Sequence, residues 1–252
     1  MMSDNNPKTK VRAVFKCPDS FKDRFHESKC LLTISVGQEV HEDDKFLATL
    51  ELVNNAFAFC TICVDDTLQR HSMGLYNNTN AESCYDISLV EGDNWLERNK
   101  HLYEQLTLPY EIVRWNKWLH HPSYSDIHAE ISESYISDPE YRAAFDDSIE
   151  DFLTRFQRRL KPSHLFDYQK GFDTCRDYLF EECVAMCLWQ NEGYHFEVYP
   201  SQRNAAMTKT HERYIKPSAP HLLNAVAIKF KNRKQHKPQH FAQIADAIEE
   251  AL

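Results

Sequence analysis

The sequence has no apolar run close to the ~18–20 residues that a membrane-spanning helix requires. Its first residues, Met1–Lys10, are polar and lack the apolar core of a secretory signal, so we expect a flexible N-terminus and a cytoplasmic protein. No internal repeat and no low-complexity segment is present, and the 42% hydrophobic content is ordinary for a globular chain. These absences favour a single domain over residues 11–252, large enough to bury a substantial core.

An excess of basic residues is also missing. The formal net charge of −9 disfavours nonspecific nucleic-acid binding over the whole surface, although it permits a local basic face. The eight cysteines suggest no metal site. Cys60 and Cys63 lie in one predicted strand, where residues three apart point to opposite faces, and Cys183 and Cys187 lack a matching ligand pair. Buried reduced thiols are therefore the expected state of the cysteines.

The stretch Leu31–Gln38 predicts a buried strand that runs into a tight turn. Leu31–Val36 is an apolar run of strand length, and Gly37 lets the backbone turn sharply. Two aspartates then precede apolar residues at helical spacing, which predicts a helix over Lys45–Asn54. Strand, turn and helix form the first unit of a doubly wound α/β domain, in which ligands sit beyond the carboxyl ends of the strands. Ser35 lies at that end, although a serine before glycine is by itself more often a turn residue than a nucleophile.

Further strands alternate with helices, which predicts a single, mostly parallel, Rossmann-like sheet. The other predicted strands are Ala56–Asp65, Glu111–Trp115, Tyr194–Tyr199 and Leu222–Phe230. The other predicted helices are Trp95–Leu106, Asp138–Leu160, a helix from Ser163 or Asp167 to Gln190, and a closing helix Pro238–Leu252. The polar segment His71–Asn94 predicts a long loop, and no element is assigned to Val11–Cys30.

Three features carry possible chemistry. Ser35 precedes a glycine turn, Tyr178 and Glu182 share one helix face because they are four residues apart, and Tyr199-Pro200 ends a later strand. Each also has an ordinary structural interpretation. Ser35 can be a turn residue, Tyr199 a core aromatic, and Glu182 a solvated helix charge, with its neighbour Glu181 offering the same group.

In this order and spacing, the three features resemble the tRNA-dependent cyclodipeptide synthases. That family has an apolar strand ending in Ser-x-Gly, a Tyr-x-x-x-Glu on a late helix, and a Tyr that closes a strand soon after. The resemblance extends over Leu31–Asp65, Pro139–Ala143 and Asp177–Pro200. Gln38 with Tyr199-Pro200 resembles the branch that has a variable residue after Ser-x-Gly and a Tyr-Pro motif.

The resemblance implies a fold similar to the class I aminoacyl-tRNA synthetase catalytic domain. The chain lacks the His-Ile-Gly-His and Lys-Met-Ser-Lys-Ser signatures that bind ATP there. This fits the family, whose substrates arrive as aminoacyl-tRNA esters that are already activated. The resemblance therefore implies no cofactor, no ATP and no metal, and we expect a monomer.

The activity implied by the resemblance is ping-pong synthesis of a cyclic dipeptide from two charged tRNAs. The intermediates are an aminoacyl-Ser35 and a dipeptidyl-Ser35. Tyr178 and Glu182 would hold the substrate ammonium, and Tyr199 would relay a proton or steady the ester. The backbone amides of Gly37 and Gln38 are candidates for binding the oxyanion.

Strand parity outlines the first amino-acid pocket. Thr33 shares the face of Ser35, and Ile62 and Val64 are expected on the matching face of the next strand. The other residues expected to contact substrate lie beside the three features: Val36, Gly37, Gln38, Ala185, Glu197 and Pro200.

The tRNA-binding surface stays open at this point. The best-known branch of the family uses a helix dense in arginine and lysine, whereas Trp95–Leu106 carries only Arg98, Lys100 and His101. Basic residues cluster in two other places, and a solvated charged face explains each equally well. The first cluster is Arg155, Arg158, Arg159 and Lys161; the second is Lys229, Lys231, Arg233 and Lys234.

Two other functions compete with this interpretation. A protein of the same fold could bind aminoacyl-tRNA or an amino acid without catalysis. A serine esterase would need a histidine base and a Gly-x-Ser-x-Gly elbow, of which Thr33–Gly37 has only the second glycine.

Overall fold

Six strands form one sheet in the computed structural model, which describes residues 11–77, 81–158, 160 and 166–232. They are β1 (Val11–Lys16), β2 (Lys29–Ser35), β3 (Phe59–Asp65), β4 (Tyr110–Arg114), β5 (Phe196–Tyr199) and β6 (Asn224–Asn232). Their spatial order is β1-β6-β5-β2-β3-β4. Only β1 pairs in the antiparallel sense, so the prediction of a mostly parallel sheet is confirmed.

The helices pack on both faces of this sheet. They are α1 (Asp19–Lys22), α2 (Asp43–Asn54), α3 (Arg70–Asn77), α4 (Ala81–Tyr103), α5 (Asn116–Leu119), α6 (Tyr124–Ser137), α7 (Pro139–Gln157), α8 (Tyr168–Asn191) and α9 (Ala205–Thr210). Short 3₁₀ turns occupy Phe25–Glu27, Glu39–His41 and Thr67–Gln69, and a π turn occupies His211–Ile215. Within the described ranges, no helix is long and apolar enough to cross a membrane.

The direction of strand addition reverses between β2 and β5. From β2 the chain moves outward through β3 and β4, and it then returns to the other side of β2 as β5 and β6. In doubly wound sheets, ligands bind in the crevice at such a reversal, beyond the carboxyl ends of the strands. Ser35 ends β2 and Tyr199 ends β5, so the two hydroxyls flank this crevice.

Two apolar cores cover the two faces of the sheet. The face that carries Leu31, Thr33 and Ser35, here called the site face, packs against α6, α7 and α8. The other face carries Leu32 and Ile34 and packs against α2 and α4. Cys63 belongs to the first core and Cys60 to the second, so their predicted separation is confirmed; seven of the eight cysteines are buried, and Cys17 is half-buried.

The loop predicted for His71–Asn94 is wrong, because the segment lies mainly in α3 and α4. Six of the buried positions of α4 recur at helical spacing: Cys84, Ser88, Gly92, Trp95, Asn99 and Leu102. Half of this stripe is polar or glycine, so the apolar pattern is weak in the sequence. Gly92 is needed for a close approach, since a Cβ there would overlap the carboxylate of Asp66 and the guanidinium of Arg114.

Other boundaries agree more closely with the predictions. Asp138 caps α7 by accepting hydrogen bonds from the amides of Glu140 and Tyr141, and Asp167 caps α8. The unassigned N-terminal segment contains β1, and α6 was not predicted. The predicted flexible N-terminus (1–10) and closing helix (Pro238–Leu252) lie outside the described residues.

Candidate active site

The nucleophile candidate lies at the end of an interior strand. Gly37 has φ = +85°, and the amide of Gln38 donates to the Ser35 carbonyl at 3.2 Å, closing the turn after β2. Ser35 is 8% exposed. Its side chain is therefore fixed by a strand that is paired on both edges and by a turn that requires glycine.

Ser35 is hydrogen-bonded to Tyr199. The Ser35 Oγ and the Tyr199 hydroxyl are 3.0 Å apart, across the crevice between β2 and β5. Burial raises the pKa of Tyr199 to about 12, although the Ser35 hydrogen bond lowers it. Tyr199 is therefore a neutral phenol at physiological pH, able to accept one proton and donate another. The sequence motifs predicted both residues, and the fold brings them together.

The helix α8 contributes the second predicted pair. Burial and the charge of Glu182 raise the pKa of Tyr178 well above its usual range. Burial, followed by the charge of Glu197, raises the pKa of Glu182 to about 8. Asn204 Nδ2 lies 3.5 Å from a Glu182 oxygen, a distance that allows only a weak hydrogen bond. Glu182 is thus a carboxylate whose charge is poorly compensated.

The neighbouring Glu181 has a different environment. Arg70 Nη1 and Trp115 Nε1 donate to one of its oxygens at 2.8 and 2.7 Å, and His71 lies 3.3 Å from the other. Burial opposes ionisation, but His71 and Arg70 hold the pKa of Glu181 below its usual range. The sequence offered two equivalent carboxylates; the structure places Glu181 in a buried ion pair and turns Glu182 towards the site.

The predicted pocket residues Ile62 and Val64 are on the wrong face. The ladder pairs Thr33 with Cys63 and Ser35 with Asp65, so these four side chains share the site face. Ile62 and Val64 are fully buried in the opposite core. The prediction failed because it assumed a register of β3 against β2 that differs by one residue from the observed register. A shift of one residue moves every side chain of the strand to the opposite face of the sheet.

Asp65 is the functional candidate that sequence reasoning missed. It ends β3 beside Ser35, is 6% exposed, and its Oδ1 has no hydrogen-bond partner among the described residues. Burial, the main cause, and the charge of Glu182 raise its pKa well above the usual range. A carboxylate that ends a buried strand was visible in the sequence and satisfied the same carboxyl-end rule as Ser35.

The remaining predicted contacts divide between the two faces. Thr33, Ala185 and Glu197 are buried on the site face or in its core, and Glu197 accepts a hydrogen bond from Arg203 Nε at 2.6 Å. Val36 packs against the opposite core instead. Pro200 follows Tyr199 and is half-buried. Because the Gln38 amide already donates to Ser35, only the Gly37 amide remains of the two oxyanion candidates.

The residues predicted to bind tRNA lie in three places. Arg98 is paired with Glu42, and Lys100 lies 3.9 Å from Glu104, both on or beside α4. Arg155 and Arg158 are exposed at the end of α7, whereas Lys229 and Lys231 are exposed on β6. Arg159, Lys161, Arg233 and Lys234 lie outside the described residues.

Comparison with known proteins assigns the family. No family model and no curated protein matches the sequence. A solved cyclodipeptide synthase from Fluoribacter dumoffii is 44% identical, with 88% of this chain and 98% of that chain covered and a TM-score of 0.84. The site lies beyond the carboxyl ends of the strands of a mostly parallel α/β sheet. The chain belongs to the cyclodipeptide synthase family.

Two more distant structures share the fold. A cyclodipeptide synthase from Candidatus Glomeribacter gigasporarum, bound to Phe-tRNAPhe, is 17% identical with a TM-score of 0.66; 84% of this chain and 91% of that chain are covered. A Mycobacterium tuberculosis protein, whose structure is said to demonstrate that cyclodipeptide synthetases are related to type I tRNA synthetases, is 10% identical with a TM-score of 0.63. In this comparison 90% of this chain and 96% of that chain are covered.

The Ser35–Tyr199 hydrogen bond leads to a prediction. Tyr199→Phe keeps the ring, which packs against His41 with ring centroids 5.5 Å apart, and removes only the hydroxyl. We expect cyclodipeptide formation to fall roughly 10²-fold or more, because a positioned proton-transfer group contributes about that much. Tyr103→Phe is the matched control, since it removes a buried-ring hydroxyl that bonds the Leu96 carbonyl away from the site. Equal activity of the two variants would exclude a role for the Tyr199 hydroxyl.

Proposed function

We propose that this cyclodipeptide synthase joins two aminoacyl-tRNAs by ping-pong catalysis through Ser35, using residues 11–252 as one catalytic domain that acts as a cytoplasmic monomer. The observation that carries the proposal is the 3.0 Å Ser35–Tyr199 hydrogen bond at the strand-order reversal, beside Glu182 on α8. The Candidatus Glomeribacter gigasporarum enzyme, bound to Phe-tRNAPhe, supports charged tRNA as the substrate class.

The first step transfers an aminoacyl group to the enzyme. Ser35 Oγ attacks the carbonyl carbon of the ester, and the bond between that carbon and the terminal ribose oxygen breaks. The proton of Ser35 passes through the Tyr199 hydroxyl to the ribose oxygen. A neutral Tyr199 can perform this relay because it gives one proton while it takes another. The Gly37 amide lies beside Ser35 and can stabilise the oxyanion.

The next steps use the amine of the bound group. The free amine on Ser35 attacks the ester of a second aminoacyl-tRNA, which forms a peptide bond and releases the second tRNA. The new terminal amine then attacks the Ser35 ester, closes the six-membered ring and regenerates the hydroxyl. No ATP is consumed, because each ester is already activated.

Glu182 is suited to control the amine's protonation. A carboxyl group with a pKa of about 8 has nearly the proton affinity of an α-amino group, ~7.7–8.0 in solution, so proton exchange between them is close to thermoneutral. Ionised Glu182 can hold the ammonium for binding and then accept its proton before the amine attacks. Tyr178 lies on the same helix face and completes the ammonium site.

The sheet register distinguishes the two basic clusters. Tyr199 pairs with Ala227, so Lys229 and Lys231 continue the site face about 7 and 13 Å beyond the end of β5. Lys231 pairs with Arg12 on β1, which is also exposed. These three residues, here called the basic strip, lie on the same sheet face as Ser35 and lead away from it. We therefore assign the acceptor end of tRNA to the basic strip.

Charge reversal tests this assignment. Lys229→Glu with Lys231→Glu should raise the tRNA concentration needed for half-maximal rate about tenfold and flatten the salt dependence, without changing the product. Arg155→Glu with Arg158→Glu is the matched control, because it reverses two exposed charges on α7. A strong effect of the α7 variant alone would move the footprint to that helix.

The function itself is tested in a cell extract. Product should disappear when RNase is added, and purified charged tRNA should restore it without ATP. Synthesis from free amino acids and ATP in the absence of tRNA would contradict the proposal. The esterase alternative is disfavoured because the hydroxyl partner of Ser35 is a phenol rather than an imidazole.

A further inference from the structure

Asp65, Glu182 and Glu197 lie at the reaction site, and Asp66 and Glu181 are sequence neighbours of two of them. The charges of these five carboxylates are compensated unequally. Three are each paired with an arginine: Asp66 with Arg114, Glu181 with Arg70 and Glu197 with Arg203. In the described part of the chain, no lysine, arginine or histidine lies within ion-pair distance of the other two, Asp65 and Glu182. The protein's described residues therefore provide no cation for two of the site's carboxyl groups.

The surroundings of Asp65 distinguish it from the three carboxylates that are paired with an arginine. It is 6% exposed, and its Oδ1 has no hydrogen-bond partner among the described residues. The β2–β3 register sets it directly beside Ser35 on the site face, with Thr33 and Cys63 one step below. An ionised group in this position is unfavourable without a ligand, because burial removes its water and the hydrogen bond from the Cys63 thiol compensates for that loss only in part.

The mutual influence of the groups agrees with this geometry. Besides burial, the charge of Glu182 raises the pKa of Asp65, and the charges of both carboxylates raise the pKa of Tyr199. Asp65 and Glu182 thus act on one small volume around Ser35. Any aminoacyl group on Ser35 occupies that volume.

The number of charges indicates what this aminoacyl group is. Every aminoacyl ester brings one positive charge, the α-ammonium, which the proposed function assigns to Glu182. A side-chain cation on the same acyl group would let Asp65 ionise and pair with it. Beside an apolar or acidic side chain, the raised pKa keeps Asp65 protonated, and it contributes no ion pair.

We propose that the first aminoacyl group loaded on Ser35 is basic, lysyl or arginyl, and that its side-chain cation pairs with Asp65. The inference rests on the proposed function and adds the substrate class. The dicationic acyl group neutralises both carboxylates at once, and Asp65 becomes the residue that selects the side chain.

Single-turnover loading tests the inference. The purified full-length enzyme is mixed separately with Lys-tRNA, Arg-tRNA, Leu-tRNA and Glu-tRNA, and the acylated protein is followed by intact mass. The wild-type enzyme should load lysine or arginine at least tenfold faster than leucine. In Asp65→Asn, that preference should fall roughly 10- to 100-fold, the effect of losing one charge-assisted hydrogen bond.

Asp66→Asn is the matched control. It removes the adjacent carboxylate, which is bound to Arg114, and should lower thermal stability while keeping the same order of substrates. Asp65→Glu is a second variant that retains the charge and should retain a preference for basic groups. Circular dichroism shows whether each variant is folded.

The possible outcomes distinguish a failure of the proposed substrate class from a failure of the proposed function. A wild-type enzyme that loads leucine or glutamate at least as fast as lysine and arginine overturns the substrate class, and so does an unchanged preference in folded Asp65→Asn. In both cases the protein is still a tRNA-dependent synthase. If no charged tRNA of any kind acylates Ser35, the proposed function itself fails.

Discussion

Ser35→Ala should fold normally and form no cyclodipeptide. The substitution removes one oxygen from a site at the end of β2 and leaves the packing of Leu32 and Ile34 unchanged. Without the oxygen no covalent intermediate can form, and the ping-pong route is closed. Mass spectrometry of the product and of the intact protein should show neither cyclodipeptide nor an acylated enzyme.

A serine at the other end of the same strand provides the control. Ser28 is 3% exposed, and its Oγ donates to the Arg24 carbonyl at 2.7 Å, before β2 begins. Ser28→Ala should lose only about 1 kcal/mol of unfolding free energy and keep its activity. Product at the wild-type level from Ser35→Ala would remove Ser35 from the mechanism.

Glu182→Gln should lower cyclodipeptide formation at least ten- to hundredfold. The expected minimum follows from the loss of one charge-assisted hydrogen bond to the substrate ammonium, about 1.5–3 kcal/mol. A larger loss, with aminoacyl-Ser35 accumulating in the intact mass, is expected if Glu182 also accepts the amine's proton. The product should keep its composition, because every aminoacyl group presents the same ammonium.

The same variant should be more stable than the wild-type protein at neutral pH. The pKa of Glu182 is raised from 4.5 to about 8 in the folded state, so the unfolded state ionises first and gains stability as pH rises from about 4.5 to 8. Glutamine removes this penalty. Thermal unfolding should show an advantage of about 4 kcal/mol at pH 8 that vanishes near pH 4.

Glu181→Gln should show the opposite pattern. Its carboxylate binds Arg70, His71 and Trp115, and neutralising it leaves a largely buried guanidinium without its counterion. We expect a loss of about 3 kcal/mol of stability, with activity retained at temperatures where the protein stays folded. A catalytic defect in Glu181→Gln together with a normal Glu182→Gln would show that the wrong carboxylate has been assigned.

The sequence predicts the parts of the site that are encoded locally. The turn after Ser35 requires a residue with positive φ, and the four-residue spacing of Tyr178 and Glu182 fixes a shared helix face; both are visible without tertiary information. The order of the strands adds that Ser35 and Tyr199 meet. The sequence motifs and the strand order therefore both place Ser35 and Tyr199 in one site.

The parts that were missed depend on pairing between distant segments. The register of β2 against β3 decides whether Ile62 or Cys63 faces the substrate, and no residue in either strand specifies it locally. The first part of α4, up to Asn94, was mistaken for a loop because polar Ser88 and Gly92 are among its buried residues. Their burial is set by tertiary packing, so hydrophobic periodicity alone could not reveal it.

The position of β2 inside the sheet has a consequence for hydrogen exchange. Leu31 and Leu32 have ladder partners on both β3 and β5. Because successive amides of a strand point to opposite edges, each of the two amides bonds one of these neighbours and can exchange with solvent only when that interior pairing opens. They should exchange at the rate of global unfolding, whereas the exposed turn at Gly37 should exchange by local opening. Ser35 lies at the boundary between these two regimes: it is anchored by an interior strand and adjoins a turn that can adjust when each tRNA arrives and leaves.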